Sequence, residues 1–392
     1  PAAPPMTARL LPIGLITLVF NLGGGLVAPA LPLYARSLGA DYRDLGLIGA
    51  SHGLAFALLT IPLGRASDRF GRRAILFLST IGVGASAALY LVAGHVAGLA
   101  AGKLLEAAAW AAFWPTLEAW VAERFGARAG AAMGIAYGAY AAAFVVGSSV
   151  GGFVIESFGL RAPFALYLAT SALAAILVLA LAGGEAADPE TRHGVAVTPR
   201  IVTSNPAWAR SRRVLAYATG FVYVYGLGTV LAFLPAYGTD RALSPRGVGL
   251  LLGAYWIARV VGSLGAGRVS DALGPRLVLV PAMLVMVSGV ALVVAPVGLW
   301  ALFLGAVALG LAAGASAPTC VGLIADHASA TQRGTAMGLF EAACGVSILG
   351  SGLLGGYAAE ALGGEAPYVI VGVFALAWAG VLARGLRAPA RV

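Results

Sequence analysis

Twelve separate apolar runs of about twenty residues divide this chain. They fall at 10–33, 46–64, 74–94, 97–121, 130–154, 162–183, 214–237, 246–266, 277–295, 298–324, 334–358 and 366–387. A helix of that length crosses the hydrocarbon core of a bilayer, and a helix pairs its own backbone groups where no water can. A membrane barrel would instead be written in short alternating strands. The sequence therefore predicts an all-α membrane protein with 12 transmembrane helices. Charged residues make up 10% of it, against about 25% in soluble domains, which excludes a soluble fold.

The net charge of +9 invites comparison with nucleic-acid binders, but its distribution argues for topology. With the N-terminus cytoplasmic, 18 of the 25 basic residues fall at cytoplasmic ends and loops. Five (Arg36, Arg43, Arg161, Arg241 and Arg246) fall on the other side, and Lys103 and Arg259 lie inside spans. This is the positive-inside bias. It predicts a multi-pass protein of the inner (cell) membrane with both termini cytoplasmic and no nucleic-acid partner. The opening PAAPPMTARL lacks the basic region and cleavage pattern of a removed signal, so span 1 is the expected insertion signal. Cys320 and Cys344 lie within spans and read as small packing residues, with no disulfide framework or metal spacing.

The chain also repeats itself. GRASDRFGRR at 64–73 returns as GRVSDALGPR at 267–276, an offset of 203 residues. Pro115 returns as Pro318 at the same offset; Ala132–Met133–Gly134 and Gly151–Gly152 return as Ala336–Met337–Gly338 and Gly355–Gly356 at 204. One inserted residue between the groups accounts for the step. Six spans per copy is an even number, so both copies enter the membrane from the same side, as parallel repeats do. The expected domains are 1–183 and 214–392, each a six-helix bundle, joined by a polar, basic cytoplasmic linker at 184–213.

GRASDRFGRR resembles the loop signature after the second span of the major facilitator superfamily, roughly G-x-x-x-D-R-x-G-R-R/K. Gly64, Asp68, Arg69, Gly71, Arg72 and Arg73 all match, and the second copy keeps Gly267, Asp271, Gly274 and Arg276. With the spans and the repeat, the resemblance covers essentially the whole chain. It implies two bundles that work by alternating access. It also implies a gate in which the aspartate of this loop clasps the bundles together at the cytoplasmic face. Here that role falls to Asp68, with Arg72 as its partner and the start of span 11, near Arg333 and Gly334, as its target. A helix N-terminus favours an anion through its free N–H groups and dipole. Gly64, Arg69, Gly71 and Asp271 complete the expected gating set. The alternative is that the arginines serve topology alone.

Span 4, AGKLLEAAAWAAFWPTLEAW at 101–120, carries the only lysine in the chain. Lys103, Glu106, Trp110 and Trp114 share one helical face. A charge facing lipid at mid-depth costs about 2.5–3.5 kcal/mol, so the stripe should face a water-filled cavity or a partner helix. The resemblance implies a cavity-lining span 4. A buried lysine can lose its proton and a buried glutamate can gain one. Lys103 and Glu106 are accordingly the expected proton-coupling pair, and Trp110 and Trp114 the substrate platforms. Against this, Lys103 can snorkel to the headgroups, Glu106 can be its static counter-ion, Trp114 can be packing, and Glu118 reads as interfacial. Drug exporters of the superfamily often carry arginine near Lys103, followed by glutamine and glycine. Glu106 and Ala107 depart from that pattern.

His52, the one histidine inside a span, joins the proton-handling candidates because its reference pKa lies near 6.5; packing is its alternative role. Asn21, Tyr217, Phe221, Arg259 and Glu341 are further candidate substrate contacts, with Arg259 and Glu341 placed for an ion pair that is either structural or broken during transport. GSSVGG at 147–152 resembles the G-P-x-x-G-G signature of antiporters in the superfamily, with Ser148 in place of the proline. Close helix packing is the plainer reading. No HExxH, no GxxxxGK[ST] loop and no cysteine–histidine cluster points to an enzyme, and no cofactor is expected. The leading expectation is a monomeric secondary transporter exporting small amphipathic or aromatic compounds against protons. The alternatives are a lipid or glycolipid flippase, a sugar or organic anion transporter, and a non-transporting sensor.

Overall fold

The computed structural model describes residues 6–125, 129–182, 206–327 and 333–386. They form α1 (Met6–Ser37), α2 (Tyr42–Phe70), α3 (Arg72–Val92), α4 (Val96–Phe125), α5 (Ala129–Phe158), α6 (Ala162–Leu181), α7 (Pro206–Asp240), α8 (Pro245–Leu273), α9 (Arg276–Val294), α10 (Leu299–Asp326), α11 (Arg333–Leu362) and α12 (Ala366–Gly385). No strand occurs among the described residues. All twelve helices are long and apolar enough to cross a membrane. Most of the predicted linker lies outside the described residues, but its last eight residues, 206–213, form the first turns of α7.

The repeat is visible in the backbone. α2 and α8 begin at 42 and 245 and end at 70 and 273, each 203 apart; α5 and α11 begin at 129 and 333 and end at 158 and 362, each 204 apart. The signature loop turns at Gly71 with φ 91°, and its second copy turns at Gly274 with φ 89°. A side chain is strained in that left-handed region, so glycine stands at both turns.

The chain divides into two compact units. Unit 1 is Pro1–Ala40, Leu54–Val197 and Leu243–Gly253; unit 2 is Asp41–Gly53, Thr198–Ala242 and Ala254–Val392. In unit 1, α1 packs on α5 and α6, and α3 on α4 and α6; in unit 2, α7 packs on α10, α11 and α12, and α9 on α10 and α12. Each unit also takes in the first turns of a helix whose remainder belongs to the other. The reason is close backbone contact. Within unit 2, a Cβ on Gly46 of α2 would stand 2.3 Å from the Gly352 carbonyl oxygen of α11; within unit 1, a Cβ on Gly249 of α8 would stand 2.7 Å from Gly152 Cα of α5. Glu156 Oε2 accepts the backbone N–H of Arg246 at 3.1 Å, at the N-terminus of α8. Tyr42 donates to Asp240 Oδ2 at 2.7 Å.

Several hydroxyls inside the helices are satisfied locally. Thr60, Ser79, Thr219, Ser316 and Thr319 donate to carbonyls three or four residues back, as hydroxyls in apolar helices do. Tyrosines at equivalent places in the repeat tie helix ends. Tyr34 donates to the Ala93 carbonyl and accepts from Arg161 Nε at 2.8 Å. Its counterpart Tyr237, 203 residues on, donates to the Val293 carbonyl and sits beside Arg241 and Glu365.

Candidate functional site

The polar end of α4 is a three-residue network in unit 1. Lys103 Nζ donates to Glu106 Oε1 at 3.0 Å, and the Tyr90 hydroxyl of α3 donates to Glu106 Oε2 at 2.5 Å. Glu106 is 2% exposed and Tyr90 fully buried, while the Lys103 side chain is 21% exposed. The carboxylate thus faces partner helices and is sheltered from lipid. Gly102 makes this possible, since a Cβ there would lie 2.6 Å from the Tyr90 ring. Tyr167 of α6 stands near enough for the Glu106 charge to act on it. The sequence reading missed Tyr90 and Tyr167; hydropathy marks them as buried but does not say on what.

One and two turns further along α4 the stripe becomes aromatic. Trp110 packs edge-on to Phe144 (5.9 Å between centroids) and to Tyr140 (6.3 Å), both on α5, and against Phe20 of α1. Trp114 stacks on Tyr137 at 5.4 Å and 11° and meets Tyr140 edge-on at 5.3 Å. Tyr137 is 47% exposed, so this end of the shell is open. Tyr137 also donates to Glu118 Oε1 at 2.9 Å. Asn21, fully buried beside Phe20, spends its amide N–H on the Thr17 carbonyl at 2.7 Å. Its Oδ1 has no partner among the described residues.

The run Gly23–Gly24–Gly25 sets α1 into this arrangement. A Cβ on Gly23 would fall 1.9 Å from Tyr167 Cδ2, one on Gly24 2.9 Å from Trp110 Cζ2, and one on Gly25 2.7 Å from the Ala143 carbonyl. Three successive residues thus admit α6, α4 and α5.

In unit 2, Arg259 of α8 lies over the Trp256 ring at 4.9 Å. Arg259, and Glu341 of α11, lie near enough to Tyr223 of α7 for their charges to act on it, in the same neighbourhood as Cys344 of α11 and Cys320 of α10. Arg259 and Glu341 therefore share one electrostatic neighbourhood, and both cysteines are free and buried. Tyr217 and Phe221 of α7 line a groove with α11 and α12. His52 is half-buried and groups with unit 2.

At the signature loop, Arg72 bridges two acids. It meets Asp68 at 2.5 Å and Glu123 of α4 at 2.7 Å, and also reaches Ser67. Asp68 keeps 62% of its side chain exposed. Arg69 lies over the Phe70 ring, Gly64 is in ordinary contact with Pro115, and Asp271 is exposed. The side chains at the start of α11, the target expected for Asp68, lie outside the described residues. Glu123 lies 51 residues from Arg72, and the sequence alone does not single it out.

Twelve membrane-spanning helices in two copies of one six-helix plan, with an ionic bridge at the loop after the second helix and a charged, aromatic fourth helix, define a multi-pass membrane transport protein. The sequence profile of the Major Facilitator Superfamily matches residues 13–244 and again 216–392, and the chain belongs to that superfamily. It is similar to the quinolone resistance protein NorA of Staphylococcus aureus, 30% identical over 145 residues, 37% of each chain. It is also similar to an uncharacterised transporter of the same type from Methanocaldococcus jannaschii, 35% identical over 86 residues, 22% of each. These alignments span well under half of either relative's length. Among solved structures it resembles a variant of the nucleoside transporter NupG, with a TM-score of 0.76 at 13% identity over 97% of this chain and 100% of that one. The human organic anion transporter MFSD10 follows at 0.69 and 18%, covering 97% and 100%. A bacterial homologue of the human lysosomal transporter Spinster, inward-facing and occupied, gives 0.71 and 17%, covering 98% and 93%. At these identities the likeness is one of fold. Family and fold point to a transporter rather than an enzyme.

Proposed function

We propose that the protein is a secondary active transporter that exports small amphipathic or aromatic compounds in exchange for protons, by alternating access around a site near mid-membrane. The observation that carries this reading is helix α4, which sets the Lys103–Glu106 pair, closed by Tyr90 of α3, one turn from the aromatic shell of Trp110 and Trp114. A carboxylate and an ammonium in mutual contact exchange protons as a unit. Anything that changes the hydration of that pair changes its proton occupancy. Rings at 5–6 Å spacing offer flat surfaces for an aromatic substrate. Asn21 supplies a buried acceptor, and Arg259 and Glu341 are further candidate substrate contacts. His52 serves as a secondary proton-handling group. The similarity to a quinolone resistance protein agrees with aromatic cargo.

In this reading Asp68 and Arg72, steadied by Glu123, form the inner gate, with Gly64, Arg69, Gly71 and Asp271 shaping the two signature loops. The protein sits in the cell membrane as a monomer with both termini cytoplasmic. Tyr217 and Phe221 of α7 line the groove with α11 and α12 and not this aromatic shell.

Purified protein in liposomes with an imposed pH gradient tests the proposal. Addition of an aromatic amphiphile such as a fluoroquinolone should release protons through the wild type. Glu106→Gln and Lys103→Ala should abolish that movement while leaving substrate binding in place. Undiminished proton-coupled exchange in both variants would remove the coupling assignment.

A further inference from the structure

A groove of about 500 Å³ lies between α7, α11 and α12 within unit 2. Its walls include Tyr217 and Phe221 of α7, Ala343 of α11, and Phe374, Trp378 and Val381 of α12. The polar atoms of this wall are largely spent. The Trp378 indole N–H donates to Thr219 Oγ1 at 2.9 Å, and Thr219 donates to the Leu215 carbonyl at 2.7 Å. The groove opens toward lipid, since Val381 is 44% exposed and the outward face of α12 continues through Leu376, Val373 and Val369.

One end of this apolar groove is positively charged. Arg213 precedes Tyr217 by one helical turn and lies near enough for its charge to act on the Tyr217 hydroxyl. Arg210 precedes Tyr217 by two turns on the same face, and Arg384 follows Val381 by three residues on α12; both are exposed. Two helices that wall the groove thus each carry arginine just past its apolar lining. By the charge rule this is the cytoplasmic end. An apolar slot gives an acyl chain no advantage over surrounding lipid tails, which are equally apolar. Selectivity must come from the head group, and three guanidinium groups favour an anionic phosphate.

We propose that the groove is a lipid site in which one acyl chain of an anionic phospholipid lies between α7, α11 and α12, with its phosphate held by Arg210, Arg213 and Arg384. This goes beyond the transport reading and does not depend on it.

Quenching of Trp378 tests the site. The full-length protein is placed in phosphatidylcholine nanodiscs that carry a small fraction of either brominated phosphatidylglycerol or brominated phosphatidylcholine. The Trp378 signal is taken as the difference between wild type and Trp378→Phe. The anionic brominated lipid should quench at a much lower mole fraction than the zwitterionic one. A basic residue near an anionic lipid surface contributes about fivefold in binding. Arg384→Gln should therefore raise the required fraction about fivefold, and Arg213→Gln with Arg384→Gln further still. Because Arg213 also donates to the His327 carbonyl, Arg384→Gln alone reads charge without disturbing that bond, and the double lysine variant should keep the preference. Equal quenching by the two lipids would overturn the proposal, as would a preference that survives loss of both arginines. Brominated oleate quenching as well as the anionic phospholipid would also overturn it, in favour of a free carboxylate amphiphile.

Discussion

Replacing Glu106 by leucine removes the acceptor on which two groups converge. Tyr90 is fully buried and donates to Glu106 at 2.5 Å; without that acceptor its hydroxyl is stranded, at a cost of about 1–3 kcal/mol. Lys103 loses its counter-ion. Breaking a fully buried pair costs about 3–5 kcal/mol, but the Lys103 side chain is 21% exposed, so about 1–2 kcal/mol is the apt figure after discounting for solvent. Glu106→Leu should therefore destabilise unit 1 by about 2–5 kcal/mol. Glu106→Gln keeps an acceptor for Tyr90 but still removes the counter-ion of Lys103, and should cost about 1–2 kcal/mol. Lys103→Met with Glu106→Leu removes both charges and leaves only the tyrosine stranded, so the double variant should be more stable than Glu106→Leu alone. Unfolding of the purified protein by titration with sodium dodecyl sulfate in mixed micelles gives all four stabilities. If the double variant is no more stable than the single, the ammonium does not depend on Glu106. Lys103 is then solvated at the headgroups, and the coupled pair is the wrong description.

Gly23→Ala places a methyl carbon 1.9 Å from the Tyr167 ring and should cost about 1–3 kcal/mol through overpacking; Tyr167→Leu in the same chain should recover part of that loss in the same titration. Gly71→Ala meets no neighbour within 4 Å but sits at φ 91°, so backbone strain alone should cost about 1–2 kcal/mol. Gly94→Ala, equally open and without that conformation, should be neutral beside it. Burial holds the His327 imidazole below its ordinary value; Arg212 and Arg213 add to this, while the Leu323 carbonyl and Asp326 oppose it. The unfolded chain then takes up its proton first, near pH 6.5. The stability present above that value is lost as pH falls from there toward the folded pKa. His327→Gln should flatten the difference between unfolding at pH 7.5 and at pH 5.5.

The helices, the repeat and the signature loop were legible because each rests on a one-dimensional property. Apolar length marks a span, a shared offset marks a copy, and a turn glycine returns at Gly274 with the same backbone angle as Gly71. The ion pair of Lys103 with Glu106 and that of Arg72 with Asp68 were legible because the partners lie three or four residues apart, along α4 in the first case and across the Gly71 turn from α2 to α3 in the second. Contacts between helices were not. Glu106 and Trp114 differ by about 80° around α4 at 3.6 residues per turn, wide enough for one stripe to meet α3 at its polar end and α5 at its aromatic end. Nothing in the order of residues says that Tyr90 waits at the first and Tyr137 at the second. Glu123 escaped for the same reason, since its partner Arg72 is 51 residues away.

The three consecutive glycines of α1 carry a mechanical consequence. Successive side-chain directions on a helix are about 100° apart, so positions 23, 24 and 25 between them sweep about 200°, a little over half a circle. Each direction is occupied, by α6, by α4 and by α5. Over that arc α1 has no face left for water or for a passing solute. It cannot slide or swivel without displacing all three neighbours, so these four helices travel as a single block.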